Sequence, residues 1–423
     1  MTSTALTSQS FKRDPFPTYR QFRDRGPLVQ HSIPFLGKIW LTTTYDSCAD
    51  MLKQSEHFCV DGRNAGRKSQ SGIAWLPKSM RVLSANMLGQ DDPDHRRTRR
   101  LVDMPFRRVG IDALRPAIER QTHALLDKSA AKQEGFDFVT DIAKPLPLLV
   151  ICDMLGLPES DVDMFIDWIK PISSASNIMS IFGILGSLGR MTNYLRAEFE
   201  TCRRSPKAGL ISELVHAHEE GEQLSDDELL ATVVVLFIAG HETTTHLLST
   251  GLWTLFRHPD ARDAVQSGQA DMTKLVDEML RYNSPVFMTK PRFARQDMSF
   301  HGQALQKGDR LMALQGAANC DPNAYKNPET LDINRAPNRH LTFGHGPHLC
   351  LGLHLARAEA EIVFQTVIDR FPDIRPAQAL DSMAWYPRIG IRGLKSLPVK
   401  TTAPGQQLRA SFSSRRDPAL QAT

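Results

Sequence analysis

"LTFGHGPHLCLGLHLA", residues 341–356, sets one cysteine, Cys350, among three histidines and three glycines. Directly after it the apolar spacing turns helical through "CLGLHLARAEAEIVFQTVIDRF", residues 350–371. Read locally, the sulfur has three uses. Zinc would draw on His348, Cys350 and His354, but these crowd one turn, and no distant residues with matching spacing complete a site. A nucleophile would want His348 as its base, which leaves the glycines and apolar neighbours unexplained. As a haem thiolate, Cys350 at a helix N-terminus would gain stabilisation from free amides and the helix dipole, while Gly344 and Gly346 let backbone approach a flat macrocycle.

The surrounding chain sets bounds on that choice. Its 423 residues are 41% hydrophobic and 23% charged, the composition of an ordinary globular protein with a large core. No linker, charge block or repeat divides it, so one domain is expected over 13–400, after a flexible N-terminus at 1–12 and before a disordered tail at 401–423. No apolar run reaches the roughly 18 residues of a membrane span, and "LLATVVVLFIAG" stops at His241 and Glu242. The N-terminus lacks the apolar core of a secretory signal, so a cytoplasmic protein without a membrane is expected. Six cysteines without CxxC spacing argue against a disulfide framework and against an iron–sulfur site.

A net charge of +4 names no partner, but "HRRTRRLVDMPFRR", His95 to Arg108, packs six arginines into fourteen residues. No stacking aromatics interleave with them, so no nucleic acid is expected there. The competing reading is a solvated helix face.

"SDDELLATVVVLFIAGHETTTHLLSTGLWTLFRHP" reads as one helix of about thirty residues, opened by a capping box from Ser225 to Glu228 and stopped by Pro259. It would span about 50 Å, enough to cross a whole domain. Helical spacing recurs in "DVDMFIDWIK" and "TKLVDEMLRY"; strand-like pieces occur in "KIWLTTT", "RFARQDMSFHG" and "IGIRGLKSLPV". The fold class is therefore mainly α with a minor β region. Residues 171–191 mix glycine, serine and large apolar side chains, a composition that suits a lid over an apolar cavity or a core helix.

Three further groups stand out. In "AGHETTTH" the histidines at 241 and 246 are five apart and point about 140° away from each other, so they cannot share a metal as HExxH does. What remains is Glu242 beside Thr243, an acid next to an alcohol that can relay protons, directly after the small Gly240. "EMLR" sets Glu278 and Arg281 at i,i+3, a pair that means little alone, since Glu200 and Arg203 have the same spacing. "HRRTR" projects His95 and Arg99 from one helical face toward an anion.

Taken together, in this order and at these separations, the pieces resemble the cytochrome P450 superfamily in its bacterial soluble class. The resemblance runs from "DPFPTYRQFRDRGPLV" to "GIRGLKSLPV". "FGHGPHLCLG" fits the FGxGxHxCxG loop, "AGHETT" the oxygen-activation helix and "EMLR" the ExxR pair. It implies a single-domain P450 fold, with the long helix over heme b and Cys350 as axial thiolate. Phe343 would pack beside the sulfur and Gly352 would bring backbone close to it. His95, Arg99, Arg292 of "KPRFA" and His348 would hold the propionates. Glu278, Arg281 and Arg335 of "DINR" would form a structural network. Ala239 and Gly240 would give dioxygen room, with Glu242 and Thr243 as proton-delivering acid and alcohol. The chain departs from its relatives at Cys320, where a basic residue is frequent.

The implied reaction inserts one oxygen atom into an apolar organic molecule. Phe237, Val286, Phe287, Met288 and Ile389 would line an apolar pocket, and the loop at 61–80 would touch substrate. With no flavin domain or iron–sulfur cluster, the chain would take electrons from a ferredoxin and an NAD(P)H-dependent reductase, docking near Arg96, Arg97 and Arg100 as a monomer. A haem peroxygenase would share the thiolate loop but normally replaces the pair kept at Glu242 and Thr243. A noncatalytic haem sensor would need no proton relay.

Overall fold

The structure, a computed structural model, describes residues 5–33, 37–70, 86–132, 135–173, 180–218 and 221–401. In chain order the helices are α1 Gln9–Arg13, α2 Phe16–Asp24, α3 Tyr45–Lys53, α4 Asp94–Val109, α5 Ile111–Ala130, α6 Pro145–Leu155 and α7 Val162–Ser173. They continue as α8 Ser180–Arg204, α9 Leu210–Val215, α10 Asp226–Arg257, α11 Pro259–Gln266, α12 Met272–Tyr282, α13 Gln315–Ala318 and α14 Leu353–Arg370. The fold is mainly helical with small sheets.

Local chemistry explains the long helix. The Ser225 side chain accepts the Glu228 N–H while Glu228 reaches back to the Ser225 N–H, a reciprocal capping box that opens α10. At the other end His258 leaves helical geometry because Pro259 follows it and begins α11. α10 packs on α6 and α14, and α14 also packs on α5 and α12. These helices bury one large core. α10 is also long and apolar enough to cross a membrane, and 56% of its most apolar window is buried inside the fold.

The strands are β1 Leu28–Ile33, β2 Gly37–Thr42, β3 Phe58–Cys59, β4 Phe136–Asp137, β5 Arg292–Ala294, β6 Met298–Phe300, β7 Gln303–Leu305, β8 Arg310–Ala313, β9 Arg375–Pro376 and β10 Pro398–Lys400. The largest sheet runs β1-β2-β8-β5-β3; β2 and β8 are parallel and its other pairs antiparallel. This sheet presents Arg292, at the start of β5, on the side of the fold that also carries Asp91.

Of the stretch 1–12 expected to be flexible, 1–4 lie outside the described residues, and 5–12 are packed on the fold. Ser8 caps α1, and Leu6, Phe11 and Lys12 are all buried, the apolar two in a second core with Phe22, Phe287 and Met312. Two apolar anchors, with the Lys12 ammonium bonded to two carbonyls, outweigh the entropy of the free chain. The supposed tail from 402 onward lies outside the described residues, as do 71–80 of the substrate loop and 174–179 of the lid stretch. The flanking parts of that stretch are helical, in α7 and α8.

Candidate functional site

α10 is buried from Leu229 to Val234 and again from Thr244 to Leu255, but its covering opens over Val235 to Thr243, where Phe237 alone is buried and Ala239 is exposed. Such a gap in the middle of a core helix marks an internal face. Thr243 Oγ1 donates to Ala239 O at 2.5 Å, the preceding turn's carbonyl, which fixes its rotamer. Glu242 is paired with Arg388, and burial, which would raise its pKa, is outweighed by His246, Arg388 and His241, so the carboxyl is held below its ordinary range. A Cβ on Gly240 would lie 2.9 Å from Ile151 Cδ1, so the glycine lets α6 pack close against α10.

The two histidines of this stretch diverge. His241 Nε2 lies 3.1 Å from Lys144 O, and burial pushes its pKa down to about 4. His246 faces Glu242 instead.

Cys350 stands just before α14. Its N–H donates to Phe343 O at 2.9 Å, closing the loop upon itself. Burial raises the thiol pKa, opposed by the Gly352 N–H and by Arg99 and Arg357. Phe343 packs against the main core with the Arg357 guanidinium 5.1 Å from its ring, and Arg357 Nε bonds Asp277 at 2.6 Å. Gly344 and Gly346 both take positive φ, 79° and 71°. A Cβ on Gly346 would meet Leu52 O at 2.6 Å, so this glycine lets the loop abut α3.

Positive potential gathers beside this loop. The rings of His95 and His348 are 4.0 Å apart, and His348 is pushed down to about 3 by burial, then by His95, Arg292 and Arg99. His95 Nε2 is buried without a partner, and Arg292, also buried, makes no ion pair or side-chain hydrogen bond among the described residues. Arg99 is bound to Asp103 at 2.7 Å and donates to Leu349 O at 2.9 Å. A buried guanidinium without an acceptor, Arg292, beside the unpartnered His95 Nε2 fits an anionic group, which heme b supplies in its two propionates.

The ExxR pair is sealed in the core. Arg281 Nε and Nη2 hold the two oxygens of Glu278 at 2.8 Å, Arg335 Nε shares both at 3.1 Å, and Arg281 further bonds the carbonyls of Asn319, Pro328 and Thr330. The decoy Glu200–Arg203 sits on the exposed end of α8.

Of the expected pocket residues, three are placed in packing. Phe237 stacks on Phe165 at 4.6 Å, Phe287 meets Phe11 edge-on at 5.2 Å, and Met288 joins the N-terminal core. Helical periodicity identifies an apolar position but not which neighbour covers it. Val286 and Ile389 keep partial exposure.

The family model described as Cytochrome P450 matches residues 51–378. The chain belongs to the cytochrome P450 family. It is 36% identical over 394 residues to the polyketide biosynthesis cytochrome P450 PksS of Bacillus subtilis, covering 92% of this chain and 96% of that one. The solved PksS structure superposes with a TM-score of 0.86 at 34% identity, over 94% of this chain and 99% of that one. To the cytochrome P450 monooxygenase PikC of Streptomyces venezuelae it is 34% identical, over 93% and 92% of the two chains. P450BioI, solved with a hexadec-9Z-enoic acid ligated acyl carrier protein, matches with a TM-score of 0.83 at 31% identity, over 93% and 99%. This P450 is thus an oxidoreductase of the haem-thiolate type, whose cofactor is heme b on a cysteine ligand.

Sequence reasoning missed four residues that stand around these groups. Arg357 carries a signal, lying seven residues beyond Cys350 in the helix that follows it. His246 carries one too, at i+4 from Glu242. Arg388 and Lys12 carry none, since their partners lie far away in the sequence.

The arginine cluster of α4 proves largely neutralised. Arg96 pairs with Asp92 at 2.9 Å, Arg97 with Glu228, Arg100 with Glu222 at 3.6 Å and Arg108 with Glu213 at 3.2 Å. Sequence reading saw the cations and not the acids that fold back onto them.

Proposed function

We propose that this P450 inserts one atom of dioxygen into an apolar small organic molecule, by hydroxylation or epoxidation, with electrons from a separate ferredoxin and its NAD(P)H-dependent reductase. The setting of Cys350 carries the reading: a half-buried sulfur that receives the Gly352 N–H, with Arg99 and Arg357 near it to favour its anionic form against burial, suits a metal ligand. Heme b on that thiolate supplies the activation of oxygen.

The chain's own residues do the rest. His95, Arg99, Arg292 and His348 would hold the propionates, and Phe343 would shield the sulfur. Glu242 would take up and release protons at its carboxylate, and the Thr243 hydroxyl, its hydrogen committed to Ala239 O, keeps lone pairs to receive a proton-donating water. Ala239 would border the oxygen site, Val286 and Ile389 the substrate. Glu278, Arg281 and Arg335 hold the segment that leads to the cysteine loop. Both Glu242 and Thr243 being present favours dioxygen over peroxide as oxidant.

Two relatives point to substrate shape. PksS is named for polyketide biosynthesis and P450BioI was solved with a fatty acyl chain on a carrier protein, so an extended apolar chain is the substrate class we assign. Residues 13–400 would act as one catalytic unit, a cytoplasmic monomer. The reduced, carbon monoxide-bound absorption spectrum tests the ligand: wild type should show the thiolate Soret band, and Cys350→His the histidine-ligated one. A histidine-type band in the wild type refutes the assignment. Product formation coupled to NAD(P)H through a ferredoxin tests the reaction.

A further inference from the structure

Glu242 Oε1 is approached by two residues. Arg388 Nη1 donates to it, and His246 Nε2, one turn along α10, lies 3.8 Å away, beyond hydrogen-bond reach. His246 is 3% exposed, and neither ring nitrogen has a hydrogen-bond partner among the described residues. Burying an imidazole without a partner costs stability, so its retention wants a reason beyond packing. The ring has no freedom to leave: Tyr386 stands 5.5 Å from it, and a Cβ on Gly393 would fall 1.9 Å from Nδ1. Meanwhile Glu242 Oε2 accepts no hydrogen bond among the described residues.

Arg388, Tyr386 and Gly393 all come from one stretch, 385–393, and that stretch is gripped by α1. Gln9 donates to Trp385 O at 3.0 Å and accepts from Trp385 N at 2.9 Å. Lys12 Nζ donates to the carbonyls of Arg388 and Ile391 at 2.7 and 2.5 Å, and its pKa is lowered to about 6 by burial, then by Arg392 and Arg388. Arg392 returns two bonds to Lys12 O and Arg13 O, at 2.6 and 3.0 Å. On its inner side, Arg392 N donates to Pro285 O at 2.8 Å, next to Val286. The N-terminal helix thus fixes the backbone from which Arg388 reaches α10.

We propose that the stretch 385–393, clasped by α1, is a positioning element for Glu242, with Arg388 holding Oε1 and the fixed His246 ring set against the same oxygen, so that Oε2 is the oxygen that exchanges protons. The proposal rests on reading Glu242 as a proton carrier. Arg388 and His246 are positioning residues in it. The charged or titratable groups that face the pair are Arg388 and Tyr386 from the C-terminal stretch, His241 from α10 itself and Lys12 from α1. Arg388 lowers the carboxyl's proton affinity, so its loss lets Glu242 hold a proton at higher pH.

The test follows the Glu242 carboxyl by carbon-13 NMR in holoprotein labelled at the glutamate δ-carbon, in the diamagnetic ferrous carbon monoxide form. Glu242→Gln assigns the signal. In Arg388→Gln the titration midpoint should rise by about one pH unit or more, and Arg388→Lys should restore most of the difference. His246→Asn should raise it in the same direction. Gln9→Ala, which loosens the clasp without touching the site, gives a second arm should Arg388→Gln fold poorly; a smaller rise is expected there. An unchanged midpoint in folded Arg388→Gln, or in Gln9→Ala where that arm is used, overturns the proposal. A failure of the proton-carrier reading would look different: Glu242→Gln would leave the peroxide yield per electron pair unchanged.

Discussion

Arg281 grips both oxygens of Glu278 at 2.8 Å, and the two side chains are 0% and 1% exposed. Among the described residues each is the other's only ion-pair partner apart from Arg335, which shares the same carboxylate. Removing one partner leaves a buried charge unpaired, which costs about 3–5 kcal/mol. Glu278→Gln and Arg281→Lys should both lower the urea midpoint of unfolding and the fraction of protein that retains haem. Lysine fails despite its charge, because one ammonium cannot replace donors that also serve Asn319, Pro328 and Thr330.

Thr243→Ala removes the hydroxyl that is fixed on Ala239 O. Electron uptake should continue while product formation drops by roughly tenfold or more, within the range a positioned proton donor supplies. The missing product should reappear as hydrogen peroxide. Measuring peroxide against NAD(P)H consumed checks this, and full coupling in the variant would remove Thr243 from proton delivery.

Glu359, inside α14, is 2% exposed; its Oε2 lacks a hydrogen-bond partner, and burial raises its pKa to about 8. The unfolded chain releases that proton near 4.5, so between pH 4.5 and 8 the folded state binds more protons. Stability therefore falls as pH rises through this window, by about 1.4 kcal/mol per pH unit from this group. Glu359→Gln should match wild type near pH 4.5 and be more stable at pH 8. Thermal melts across the window test it; parallel curves would contradict it.

Charge reversal along α4 should separate two roles. Arg96 and Arg100 pair with the acids Asp92 and Glu222 at exposed positions, whereas Arg97 is bound to Glu228 of the α10 capping box. Arg96→Glu and Arg100→Glu should slow reduction by an acidic ferredoxin about tenfold at low salt, the difference fading as ionic strength rises. Arg97→Glu should instead cost stability, about 1 to 2 kcal/mol, by disturbing the helix start. Stopped-flow reduction and melting temperature distinguish them.

What was legible in the sequence was local chemistry. The cysteine loop, the Ser225–Glu228 box and the i,i+3 pair each depend on residues within a few positions, and α10 runs as its cap and Pro259 require. Long-range pairings were not legible. Gln9 and Trp385 are 376 residues apart, and nothing around Lys12 announces that its ammonium will be buried against the carbonyls of Arg388 and Ile391. The acids that neutralise the arginines of α4 come from as far as Glu228. Phe237 and Phe287 carry the right apolar character for a pocket, yet Phe165 and Phe11 cover them. Partners set by tertiary packing leave no periodic trace.

Between Leu229 and Leu255, α10 is uncovered only from Val235 to Thr243, apart from Phe237. Its free energy of folding is therefore supplied mainly on either side, by Leu229 to Val234 and by Thr244 to Leu255. Side chains at Val235, Leu236 and Ile238 contribute less, so exchanging them alters what the enzyme accepts at small expense to its fold. The helix divides its length between residues that selection must keep and residues that it can spend on new chemistry, which makes this narrow window the place to begin any redesign of specificity.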